Sequence, residues 1–167
     1  MECAGEKLKY MDVNKNRLGG SDSFFIADTW NSGELARLPA RTLAYIGDSV
    51  YELGLRLAHV RRGIDDAGKL HDSLVELVSS SAQAKVFDKI FPELPEADQQ
   101  MVKTWRNAKM PSRYGSGTRG EYARATALEA WVGYLFLTRQ NERLDALFSI
   151  STGNADNNGN NDNDKKT

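Results

Sequence analysis

The chain has one cysteine, four prolines and two histidines among 167 residues, and each shortage removes a class of explanation. Cys3 has no partner for an intrachain disulfide, and no zinc-ligand spacing exists. His59 and His71 give little basis for cleavage by a histidine acid–base pair. No apolar run approaches the roughly 20 residues of a membrane-spanning helix. The opening segment, MECAGEKLKYMDVNKNRLGG, lacks the apolar stretch and cleavage site of a secretory signal, so a cytoplasmic protein without a membrane partner is expected. There is no phosphate-cradling glycine motif and no dinucleotide fingerprint. Nor is there a surplus of cations: 22 Lys and Arg against 23 Asp and Glu give a net charge of -1. A polyanion binder that is basic over its whole surface is excluded, and any nucleic-acid contact must come from a local patch.

What remains is 40% hydrophobic and 27% charged, the composition of one globular domain with polar ends. Residues 1–35 read as an N-terminal extension, partly disordered, and residues 36–150 as the folded domain. Residues 151–167, STGNADNNGNNDNDKKT, hold too little apolar surface to offset backbone ordering and read as a disordered tail.

The folded part has helical periodicity, with glycine and proline confined mostly to breaks, so an all-α domain is expected. The first helix is predicted from Pro39 to His59, with Leu43, Ile46, Val50, Leu53 and Leu57 as its apolar stripe. A second stretch, capped by Asp65 or Asp66, runs through Leu70, Leu74, Leu77 and Val78, followed by Ala82 to Phe91. Pro95 opens the next helix, which carries Met101, Val102 and Trp105. Residues 109–120 read as an exposed loop, then come helices over 121–138 and 142–149. Trp30, Trp105 and Trp131 read as core or interface residues, and His59 as a complement to a helix dipole.

Two acids stand out because they interrupt apolar helices. In TLAYIGDSVY, Thr42 to Tyr51, Asp48 is the only carboxylate or base; in ATALEAWVGYLFLT, Ala125 to Thr138, Glu129 is alone in the same sense. A carboxylate in such a helix is costly unless paired, hydrogen-bonded or bound to a metal. Ala44 lies one turn before Asp48, and Gly133 one turn after Glu129. Small residues let two helices cross closely, so both acids can face one gap, where repulsion favours a divalent cation. Two hard oxygen ligands with water suit Mg2+, or Mn2+ as substitute, better than zinc. The alternative is that each acid is structural and pairs with Arg41, Arg56 or Arg124. Glu52 and His71 are auxiliary candidates beside solvated-face readings.

A basic strip leads into the second helix. Lys103 to Arg124 contains six cations against Glu121 alone. Arg106, Asn107, Lys109, Arg113, Arg119 and Arg124 are the candidates for holding phosphates. The bland reading of the same strip is a solvated loop. A metal site beside a polyanion groove suggests phosphodiester hydrolysis.

LAYIGDSVYE (43–52), KLH (69–71), SSAQAKV (80–86), RNAK (106–109) and YARATALEAWVGYLFL (122–137), in this order, resemble Mini-ribonuclease III, the short bacterial branch of the ribonuclease III family. The resemblance implies an all-α ribonuclease III-type domain, a homodimer and a Mg2+-dependent endonuclease of double-stranded RNA, not DNA. It further implies 5′-phosphate products and maturation of the ends of precursor 23S ribosomal RNA. Asp48 and Glu129 match the family's catalytic, metal-binding acids. Ala44 and Thr126 stand where larger members carry further acids, as in the mini branch. The alternative within the fold is an inactive RNA-binding or ribosome-assembly protein.

Overall fold

Helix boundaries are set mostly by capping residues. The computed structural model describes residues 30–35, 37–109 and 117–153, and from Asn31 onward these belong to one compact unit. The expectations for Cys3, for Arg113, for the extension up to residue 29 and for the tail from residue 154 lie outside the described residues. The elements are α1 (Ser32–Leu35), α2 (Ala40–Arg61), α3 (Ala67–Val75), α4 (Ser80–Ile90), a 3₁₀ turn (Phe91–Glu93), α5 (Glu96–Arg106), α6 (Arg119–Leu137) and α7 (Asn141–Ser151). Among the described residues there is no strand, so the expected all-α class is observed.

Pro39 stands at the N-cap of α2, and Gly63, at φ +90, follows its end. Asp66, not Asp65, caps α3 by accepting from the Lys69 N–H at 2.8 Å. That stretch stops at Val75 instead of continuing to Val78, because Ser79 starts α4 by accepting from the Ala82 N–H. The loop expected over 109–120 is also shorter. Thr118 and Glu121 form a capping box, with the Thr118 N–H donating to Glu121 at 2.7 Å and the Glu121 N–H donating to Thr118 at 3.2 Å. Arg119 and Gly120 therefore belong to the first turn of α6.

α6 is the central helix, apolar on almost every side, and α2, α4, α5 and α7 pack around it. Leu128, Val132 and Leu135 are fully enclosed, and the buried Trp131 lies among Trp105, Tyr134 and the Arg143 guanidinium. Leu35 of α1 packs with Leu43, Ala44 and Ala130. No helix among the described residues is long and apolar enough to cross a membrane.

The buried face of α2 differs from the expected stripe. Leu43, Ala44, Gly47, Tyr51 and Leu55 face α6, whereas Leu53 and Leu57 are 54% and 50% exposed. The physical reason is backbone proximity. A Cβ on Gly47 would come within 2.7 Å of the Gly133 nitrogen and overlap the Glu129 carbonyl, and a Cβ on Gly133 would overlap the Leu43 carbonyl. Only the row of small residues admits so close a crossing, and it takes the core side although larger apolar residues lie opposite. His59 stands in the last turn of α2, and both of its ring nitrogens are shielded and, among the described residues, unpaired.

Candidate active site

The crossing of α2 and α6 places the two isolated acids. Asp48 directly follows Gly47, and Glu129 lies one turn before Gly133, so both sit at the edge of the closest approach. They line one open pocket of about 170 Å³. Ala44 and Thr126 also line it, with Arg41, Tyr45 and Tyr122 completing its wall. Ala44 and Thr126 are too small to fill the space, which is why it stays open.

Burial pushes the Glu129 carboxyl up to about 7, and the negative charge of Asp48 adds to the effect. The Gln83 amide, buried on α4, works in the opposite direction and favours the ionised form. Its Nε2 nevertheless makes no hydrogen bond of normal geometry among the described residues. Asp48 is also raised, first by burial and then by Glu52, while Arg56 pulls it down. Glu129 is the more enclosed of the two. Neither acid is in an ion pair with an arginine among the described residues. Arg56 pairs with Glu52 across one helical turn, and Arg124 Nε lies 3.3 Å from Asp88. The structural alternative named from sequence is therefore not realised there.

Among the described residues no group of three or more His, Cys, Asp or Glu side chains gathers in a way that could hold a metal. Two carboxylates in a roomy pocket that disfavours their simultaneous ionisation still fit a hard cation that keeps most of its water. Mg2+ is commonly held by one or two carboxylates together with substrate phosphates. The donor set does not fit zinc.

The other candidates fall into three groups. Arg106 and Lys109 line a second depression beside the acid pocket, together with Arg41, Trp105 and Tyr122. Asn107 caps the end of α5, Arg119 is exposed at the start of α6, and Arg124 is held by Asp88. His71 is exposed on α3 and does not line the acid pocket, and Glu52 reaches it only through its charge on Asp48. Tyr45, Tyr122 and Gln83 were not singled out for this site from sequence, and Arg41 was named only as a structural partner for the acids. Arg41 carried a signal, being a cation two helical turns before Asp48. Gln83 carried none, since a neutral amide in a helix resembles a surface residue.

The ribonuclease III domain family matches residues 41–140, which include both acids. A Mini-ribonuclease 3 from Symbiobacterium thermophilum is 41% identical over 114 residues, 68% of this chain and 88% of that protein. Another from Brevibacillus brevis is 37% identical over 115 residues, 66% of this chain and 86% of that protein. The crystal structure of protein FN1578 from Fusobacterium nucleatum superposes with a TM-score of 0.65 at 26% identity, covering 72% of this chain and 96% of that one. The helical fold, the spacing of the motifs and these relatives agree: the chain belongs to the ribonuclease III family of endoribonucleases, in its Mini-ribonuclease 3 branch.

Proposed function

We propose that the chain is a divalent-metal-dependent endonuclease of double-stranded RNA that matures the 5′ and 3′ ends of precursor 23S ribosomal RNA in the cytoplasm. The observation that carries this reading is the convergence of Asp48 and Glu129, 81 positions apart in sequence, on one open pocket. Both acids would hold a divalent metal ion, directly or through water; bound Mg2+, or Mn2+ as substitute, would neutralise charge on the scissile phosphate and ease deprotonation of the attacking water. Water attacks phosphorus in line, an oxygen–phosphorus bond forms, and the bond to the 3′ oxygen breaks. The attacking water gives up one proton and the departing 3′ oxygen gains one, so the net reaction consumes one water and leaves 5′-phosphate and 3′-hydroxyl ends.

Arg106, Lys109 and Arg119 hold backbone phosphates beside the pocket, with Asn107, Arg113 and Arg124 completing the basic strip. Two copies form a homodimer, since a two-fold assembly matches the local two-fold symmetry of a duplex and gives one cut per strand. The exposed Leu53, Leu57 and Val60 on the outer side of α2 support this assembly, because a row of bared apolar residues gains by pairing.

Cleavage of a duplex RNA with Mg2+ tests the reading. Asp48→Asn and Glu129→Gln are each expected to lower the rate by about 100-fold or more. Parent-like cutting by either variant contradicts its role. Firm duplex binding by the parent without any cutting selects the alternative, an inactive RNA-binding or ribosome-assembly protein.

A further inference from the structure

Arg41 is exposed in the first turn of α2, seven residues before Asp48, which is about 10 Å along the helix axis. It borders two hollows at once. One is the pocket that holds Asp48 and Glu129; the other is the depression carrying Arg106 and Lys109. Among the described residues Arg41 forms no ion pair, whereas Arg56 and Arg124 are taken up by Glu52 and Asp88. The charges that act on Asp48 are those of Glu52 and Arg56, so Arg41 is not spent as a counter-ion to the acid. An anionic strand approaching two carboxylates needs a cation beside them. A guanidinium suits that task because its planar donors match phosphate oxygens.

We propose that Arg41 binds a backbone phosphate next to the one held at Asp48 and Glu129, joining the acid pocket and the Arg106–Lys109 depression into a single strand track. The inference rests on the RNA-cleavage reading for its substrate class. Arg41 is here a substrate-positioning residue, not a group that touches the reacting atoms.

The test compares the parent with Arg41→Gln and Arg41→Lys on a duplex RNA. Binding is titrated in chelator at several salt concentrations, and cleavage kinetics are measured with Mg2+. Arg41→Gln is expected to weaken binding about fivefold to tenfold. It should reduce the log–log salt slope by about one and raise KM while leaving kcat within about twofold. Arg41→Lys should recover most of the affinity, since it keeps the charge. Unchanged affinity and slope in Arg41→Gln overturn the proposal, and so does a fall in kcat with KM unchanged. A parent that binds duplex without cutting it refutes the nuclease reading alone, and a reduced slope in Arg41→Gln then still supports the phosphate contact. A parent with no salt-dependent affinity for duplex overturns both.

Discussion

A carboxyl group that ionises near neutrality makes the fold itself depend on pH. Glu129 is raised from 4.5 to about 7 in the folded chain, with burial as the first cause and Asp48 as the second. Between those values the folded state binds the proton more tightly than the unfolded one, so stability falls as pH rises. The stabilisation is fully present below pH 4.5 and is lost as pH climbs through about 7. The shift corresponds to a loss on the order of 3 kcal/mol across that window. Asp48 is shifted the same way and adds to it. In metal-free denaturant titrations, the parent should lose stability over this range, Glu129→Gln should show a flatter profile, and a divalent cation should restore the parent near neutrality. A profile for Glu129→Gln as steep as the parent's would show that the carboxyl titrates elsewhere. Both acids were legible in the sequence because a lone charge in an apolar helix is conspicuous. Gln83 was not, because only its burial and its place against Glu129 give it meaning.

The α2–α6 crossing is the element on which the site depends. A methyl group at Gly47 meets backbone atoms of α6, which cannot rotate away as a flexible side chain could. Gly47→Ala is therefore expected to cost about 2 to 4 kcal/mol and to separate the two carboxylates, lowering cleavage as well as stability. Thermal denaturation together with the cleavage assay checks this, and a variant with unchanged melting and activity would refute the close packing. The direction in which α2 faces shows where sequence reading ran out. The helix carries two apolar rows, and hydrophobicity alone favoured Leu53 and Leu57, while backbone approach favours Ala44 and Gly47. The start of α6 was legible in principle, since Thr118 and Glu121 spell a capping box, but glycines nearby suggested a loop as far as residue 120. The helical class and the order of the helices follow directly from periodicity and breaks.

At the scale of the whole molecule, the exposed apolar row of α2 is the surface on which the proposed homodimer would form. Leu53, Leu57 and Val60 are each about half exposed on one side of α2. Full burial of such a side chain yields about 1.5 to 3 kcal/mol and roughly half of that remains to be gained by each, so Leu53→Glu with Leu57→Glu should convert a dimer into a folded monomer in sedimentation measurements. A parent that sediments as a monomer, or a double variant that remains dimeric, would place assembly elsewhere or remove it. The proposed dimer, basic strip and track through Arg41 would all serve one centre, in which acids from two helices would share a cation. Manganese binding followed by electron paramagnetic resonance, on the parent and on Asp48→Asn and Glu129→Gln, tests that centre most directly. The account predicts ion binding by the parent that weakens in both single variants alike. Retention of parent-like binding by both variants would contradict it.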